Sequence, residues 1–310
     1  MTQNALTETR PVLPAASSER RIVAIMPAFN EDRFIASVIL KARRYVDEVV
    51  VVDDGSRDDT PWLAEHCGAT LIRQPQNMGK AAAINTGLQA AQARGATAVI
   101  LIDSDGQHDP HDIPKLLGPI ESGTADLVIG SRFLGMASNT PTWRVLGQHA
   151  LNALTNMASG VALTDTQSGY RALSARALNA LNFTSHGFSV ESEMQFLIRK
   201  HGLVAVEVPI VVNYDEKPKR NPFKHGFQVL TGVLRLVGQH RPLLFFGAPG
   251  ILLILGGLLL GVQVISIYEQ FTQLALGTAL IAITLCIMGV FSIFTGVILH
   301  TIRAYMTERR

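Results

Sequence analysis

The sequence predicts an α/β fold: a mainly parallel sheet flanked by helices, followed by an amphipathic helix and a two-helix hairpin long enough to cross a membrane. Three observations carry this. Residues 21–212 alternate Val- and Ile-rich runs with helix-periodic stretches, the pattern of strands joined by crossover helices. The chain is 47 % hydrophobic, and the excess lies towards its C-terminal end. There, no charged residue occurs from Leu243 to Ile267 or from Phe271 to His300. Each run exceeds the roughly 20 residues needed to cross the hydrocarbon of a bilayer.

Residues 1–20 lack the apolar run of a signal peptide, and their polar composition reads as a disordered tail. Strands are expected at Ile22–Ala28, Glu48–Asp53, Ala69–Arg73, Thr97–Asp103 and Asp126–Gly130. Helices intervene; in Lys80–Ala93 the apolar Ile84, Leu88 and Ala91 fall at i, i+4 and i+7. Ser189–Lys200 is a further helical stretch. In the basic segment 213–241, Phe223, Phe227, Leu230, Leu234 and Val237 recur at helical spacing, with Lys224, Gln228 and Arg235 off the stripe, as in a helix lying at a membrane surface. The hairpin spans 242–302, with only Tyr268, Glu269 and Gln270 between its apolar runs. Lys217, Lys219, Arg220, Lys224, Arg235 and Arg241 precede it, Arg303, Arg309 and Arg310 follow it, and its tip carries only Glu269. Basic residues stay on the cytoplasmic side, so both termini, including the tail 303–310, are expected in the cytoplasm. Cys67 and Cys286 do not suggest a disulfide framework, since one falls in a span. A net charge of +2, concentrated near the hairpin, argues against a nucleic-acid partner.

In mainly parallel sheets ligands bind at the carboxyl ends of the strands. Polar clusters stand at those ends: PAFNE (27–31), DDGSRDDT (53–60), and the acidic stretch holding Asp103, Asp105 and Asp109. Carboxylates so crowded repel one another unless a cation, a substrate or solvent offsets them. No G-x-G-x-x-G follows the first strand. QNMGKA resembles the tail of a P-loop, but Gln74 and Ala81 stand where a glycine and a Ser/Thr are required. No G-x-S-x-G elbow announces a nucleophile. A carboxylate-lined mouth with basic residues nearby suits a nucleotide diphosphate bridged by a hard divalent cation.

VVDDGSRDDT, QNMGKAAAINTGL, the Asp103-Ser104-Asp105 triplet, GSRF (130–133) and DTQSGYRAL (165–173) together resemble the family 2 glycosyltransferases, whose Rossmann-like catalytic fold is called GT-A. More narrowly they resemble the polyprenyl-phosphate glycosyltransferases, the group of dolichol-phosphate mannose synthase and its bacterial undecaprenyl-phosphate relatives with two spans. The resemblance runs from about Ile22 to Ile210. It implies a catalytic domain over 21–212 in which Asp103, Asp105 and Gln107 hold Mg²⁺ or Mn²⁺. Pro27, Ala28, Asn30 and Glu31 would form the donor loop, with Ser104 beside it, and Asp54 would contact the base or ribose. Asp53 would end its strand and bind the DGS turn. Lys80, at a helix start, suits phosphate. Arg132 and Arg171 are candidate clamps for the acceptor phosphate, because a guanidinium offers a planar bidentate fork. Glu193 matches an acidic family position, and Glu191 is expected at the surface. His108 and His111 read as loop residues. After Pro209 the chain departs from its relatives, and Lys217, Lys219 and Arg220 are the expected substitutes at the acceptor phosphate.

The implied reaction is inverting transfer of a hexose from a UDP- or GDP-linked donor to a dolichyl or undecaprenyl phosphate at the cytoplasmic face. Its catalytic residues would be Asp105, Arg132 and Arg171. A homo-oligomer is compatible with this reading. The alternatives are a processive polysaccharide or glycolipid synthase, for which the Q-x-x-R-W motif is missing, and a non-catalytic partner of sugar export.

Overall fold

The computed structural model describes residues 20–134, 142–183, 190–212 and 241–308, together with Thr231 and Gly238. The N-terminal tail to residue 19, the basic residues Lys217, Lys219 and Arg220, and the apolar stripe from Phe223 to Val237 lie outside the described residues.

The strand-forming runs make β1 (Ile22–Ala28), β2 (Glu48–Asp53), β3 (Thr70–Arg73), β4 (Ala98–Leu101), β5 (Leu127–Ser131), β6 (Arg171–Ser174) and β7 (Ala205–Pro209). They form one sheet in the order β3-β2-β1-β4-β6-β5-β7. Only β6 runs antiparallel to its neighbours, β4 and β5. The helices are α1 (Ile35–Ala42), α2 (Thr60–His66), α3 (Lys80–Ala93), α4 (Ile113–Glu121), α5 (Thr142–Ser159), α6 (Ala175–Ala180) and α7 (Val190–His201). Strand β1 shows why both sheet faces are covered. Val23 and Ile25 join the core that contains Ile84 and Leu88 of α3 and Met194 and Ile198 of α7. Ile22, Ala24 and Met26 point the other way, against Ile35 and Ile39 of α1 and Leu116 of α4. A strand buried on both faces must be apolar throughout, which is why these runs read as continuous rather than alternating.

Two features depart from the expectation. Strands β6 and β7 are too short and too ordinary in composition to stand out as runs, yet β6 fills the gap between β4 and β5. The strand expected at Thr97–Asp103 closes its ladder at Leu101, and the Ile102 amide makes one last bond to Ile25 O (3.2 Å). Asp103 therefore stands free of the ladder, between β1 and β4, where the strand order reverses. Crevices form at such a reversal.

The C-terminal elements are a single π-helical turn (Leu243–Gly247) leading into α8 (Ala248–Phe271), and α9 (Leu276–Glu308). Leu243–Phe271 and Leu276–Tyr305 are long and apolar enough to cross a membrane, with a mean hydropathy of 2.4 and only 17 % of the most apolar stretch buried. Leu259 and Phe291 are about 70 % exposed, which a helix in the core of a soluble protein would not be. The two helices approach closely at glycines. A Cβ on Gly257 would lie 2.7 Å from Ala282 O, and one on Gly250 would lie 2.8 Å from Gly289 O. Ser292 Oγ donates to Phe246 O (2.7 Å), satisfying a carbonyl at the start of the first helix. The tip is displaced from its expected place. Helix α8 continues through Tyr268, Glu269 and Gln270, and the chain turns after Thr272, whose φ is 53°.

Candidate active site

The loops after β1 and β2 are stitched together. Asn30 sits in the left-handed region (φ 55°), its amide donates to Ser56 Oγ (2.9 Å), and its side-chain oxygen accepts from the Arg57 amide (2.9 Å). The Glu31 amide donates to Thr60 Oγ1 (2.7 Å). Ser104 Oγ then donates to Pro27 O (3.0 Å), joining the β4 exit to the β1 exit. These bonds tie Pro27, Asn30, Glu31 and Ser104 into one rim with Ser56 and Thr60.

The adjacent aspartates Asp53 and Asp54 divide their work. Asp53 accepts from the Ser56 amide (3.1 Å) and meets Arg73 (3.2 Å), the expected turn-holding role. Asp54, the expected base or ribose contact, is held by the start of α3. Its two oxygens accept from the amides of Met78 (2.6 Å) and Gly79 (2.9 Å), and the residue is buried. It is a bracket that fixes the start of α3, and so the root of Lys80.

Lys80 reaches into the carboxylate cluster. Its ammonium lies 2.9 Å and 3.2 Å from the two Asp103 oxygens and 2.7 Å from Glu191 Oε1. Burial works against the charge of Lys80, but Asp103 and Glu191 outweigh it and hold the ammonium protonated well above its ordinary range. Burial likewise disfavours ionised Asp103, and Lys80 overrides this, lowering its pKa. For Asp105 the relief from Lys80 is too weak. Burial, then the Asp103 charge, raise its pKa to about 6, against the opposing hydrogen bond from the Gln107 amide (3.0 Å). Glu191 corrects its expected surface position: it is buried at the head of α7, and so is Glu193.

His108 lies in the loop after β4, as expected, but it is buried there. It is 8 % exposed, its ring packs 5.0 Å from that of Tyr170, and its Nε2 lies 3.9 Å from Asp103 Oδ2. Burial lowers its pKa to about 4, so the ring is neutral at pH 7. His111, expected in a loop, lies in a single 3-10 turn (Pro110–Asp112), its Nδ1 2.7 Å from Asp109 Oδ1.

The two candidate clamps are placed very differently. The Arg132 side chain is 13 % exposed, its Nε and Nη2 donating to the two oxygens of the buried Asp165 (2.6 and 2.7 Å). Glu207 of β7 accepts from the Thr164 and Asp165 amides and so steadies that aspartate. Arg171 is 1 % exposed, and its guanidinium donates to Ser168 O (2.8 Å) and Thr166 O (2.9 Å) beneath the loop. Those carbonyls take the fork intended for a phosphate. Arg171 shapes the floor of the cleft, which it lines with Pro27, Lys80, Asp103, Gly169 and Glu191. A Cβ at Gly169 would lie 2.7 Å from Asp103 Oδ2 and 3.0 Å from Lys80 Nζ, so only glycine leaves that pair its room.

Among the described residues no group of three His, Cys, Asp or Glu side chains converges to hold a metal ion. Asp103 and Asp105 nevertheless fit one, with the Gln107 side chain exposed beside them. The donor set is all oxygen, burial and then the neighbouring Asp103 charge raise the Asp105 pKa, and a hard dication takes one or two carboxylates with substrate phosphates and water.

The sequence profile described as Glycosyl transferase family 2 matches residues 23–181. The chain is 31 % identical over 221 residues to the UDP-N-acetylglucosamine–dolichyl-phosphate N-acetylglucosaminyltransferase of Methanococcus voltae, covering 64 % of this chain and 88 % of that one. It is 34 % identical to the undecaprenyl-phosphate mannosyltransferase of Micrococcus luteus, over 61 % of this chain and 82 % of the other. Its fold is similar to that of glucosyl-3-phosphoglycerate synthase from Mycobacterium tuberculosis in complex with Mn²⁺ and UDP-glucose. The TM-score is 0.58 at 27 % identity, covering 74 % of this chain and 85 % of that one. The chain belongs to glycosyl transferase family 2 and is a glycosyltransferase.

Proposed function

We propose that the enzyme transfers a hexose from a UDP- or GDP-linked donor to a polyprenyl phosphate at the cytoplasmic membrane face, with inversion. One observation carries it. A carboxylate crevice suited to a nucleoside diphosphate stands on the same chain as two helices able to hold it at a lipid surface. Two relatives are named for dolichyl- and undecaprenyl-phosphate acceptors, and the similar synthase was solved with UDP-glucose and Mn²⁺, which supports this acceptor class, a UDP donor and a divalent cation.

Asp103, Asp105 and Gln107 would hold the cation, which when bound supplies Lewis-acid stabilisation of the departing diphosphate. The stitched loop from Pro27 to Glu31 receives the nucleotide, and Lys80 sets an ammonium beside the phosphates. Arg132, oriented by Asp165, faces the incoming acceptor phosphate, with Lys217, Lys219 and Arg220 completing the approach. The acceptor needs no general base. A phosphate monoester has a second pKa near ~6, so its dianion is already a nucleophile at neutral pH. Its oxygen forms the new bond to the anomeric carbon as the bond to the diphosphate breaks on the opposite side. An α-linked donor therefore gives a β-linked lipid product. The hairpin keeps both termini and the catalytic domain on the cytoplasmic side.

The test is the full chain in neutral detergent with UDP- and GDP-sugars, Mg²⁺ or Mn²⁺, and undecaprenyl or dolichyl phosphate. A lipid-linked sugar is expected, and the triple Gln variant of Lys217, Lys219 and Arg220 should raise the KM for the lipid more than that for the donor. Transfer to a soluble phosphorylated acceptor, with none to either lipid, would overturn the acceptor assignment.

A further inference from the structure

Lys80 stands on the carboxylate assigned to the divalent cation. Its ammonium nitrogen lies 2.9 and 3.2 Å from the two Asp103 oxygens, and Glu191 Oε1 at 2.7 Å is closer than either. An ammonium and a dication on one carboxylate repel strongly in a buried site, because the effective dielectric there is far below that of water. One of them must give way. The backbone of Lys80 cannot, since Asp54 holds the Met78 and Gly79 amides and Gly79 needs a φ of 92°. The side chain can, because a second carboxylate is already in contact with it. Glu191 is 8 % exposed, lies in the first turn of α7, and comes from a separate element of the fold, so it stays in place when Asp103 changes partner.

We infer that Lys80 is a built-in counter-ion competing with the divalent cation for Asp103, and that Glu191 is the positioning residue that retains Lys80 when the cation binds. The inference rests on the cation site proposed above. It explains why a carboxylate is spent on a lysine at the heart of the crevice. Asp103 is kept ionised and aimed, and the displaced ammonium stays beside the phosphates instead of leaving for solvent. It also accounts for Gly169, whose lack of a side chain leaves both groups space to exchange.

The experiment measures Mn²⁺ binding to the full chain in neutral detergent, without nucleotide, by the loss of the free-ion EPR signal. Asp105→Asn comes first. If it binds Mn²⁺ as wild type does, the cation site falls and this inference with it. If it loses binding, a double-mutant cycle tests the exchange alone. Lys80→Met should tighten Mn²⁺ about tenfold, within the range of couplings between contacting residues. Glu191→Gln should weaken it about tenfold in the Lys80 background but less than about twofold in the Lys80→Met background. Lys80→Gln, which keeps a polar end, should tighten Mn²⁺ in the same direction and guards against a Met variant that folds poorly. Unchanged or weaker Mn²⁺ binding on removing Lys80 would overturn the exchange. Equal losses from Glu191→Gln in both backgrounds would do the same, since Glu191 would then act only through its charge.

Discussion

Replacing Asp105 by Asn should make the protein more stable and nearly inactive. Moving a carboxyl from its ordinary 3.8 to about 6 corresponds to about 3 kcal/mol, at ~1.4 kcal/mol per pH unit. That is the cost of holding Asp105 ionised in a buried position beside Asp103. The folded state binds its proton more tightly than the unfolded chain does. The cost is therefore absent below about pH 4, grows as the pH rises, and is complete above pH 6. An isosteric amide removes it. In EDTA at pH 8, the variant's catalytic domain should melt roughly 5–10 °C above wild type, since ~1 kcal/mol shifts a domain of this size by ~2–4 °C. Near-UV circular dichroism of the full chain in detergent reads this. Mn²⁺ should raise the wild-type transition and leave that of the variant unmoved, because ligand binding to the native state alone is stabilising. Turnover should fall more than about a hundredfold, the scale of losing one preorganised charge-stabilising group. A variant that melts below wild type in EDTA, or that Mn²⁺ protects equally, would refute both the electrostatic account and the role of Asp105 in holding the ion.

Other consequences can be tested separately. Gly169→Ala would force a Cβ to within 2.7 Å of Asp103 Oδ2, so activity should drop at least about tenfold while the far-UV spectrum is unchanged; full activity would show that the Lys80–Asp103 pair is dispensable. Asp165→Ala leaves Arg132 without its bidentate partner, and urea unfolding should register a loss of about 3–5 kcal/mol, whereas a loss under ~1 kcal/mol would place the pair in effective contact with solvent. Tags at both termini should be reached only from the cytoplasmic side and a label at Glu269 only from the other; termini on opposite sides would rule out the hairpin.

What the sequence determined by itself is what depends on local composition. Runs such as Ile22–Ala28 and Glu48–Asp53 must be strands buried on both faces, because a continuous Val- and Ile-rich segment has no polar side to offer solvent. The uncharged stretches of α8 and α9 must leave water for the same reason, and Asp103, Asp105 and Gln107 had to fall at a strand exit because no core strand can hold them. Charge partnership is another matter. It is decided by which groups the folded chain packs together, often far apart in sequence. Arg132 follows Gly130-Ser131 and Arg171 stands just beyond Ser168-Gly169, yet one pairs with the Asp165 carboxylate and the other donates to Thr166 O and Ser168 O. Glu191 lies more than a hundred residues from Lys80, and only the packing of α7 against α3 and β4 makes it a partner rather than a surface acid. His108 was buried by Tyr170, which arrives on the approach to β6, a strand whose place between β4 and β5 no local pattern announces. Hydrophobic periodicity is written residue by residue. Which buried charge is satisfied, and by whom, exists only once the chain has closed around it.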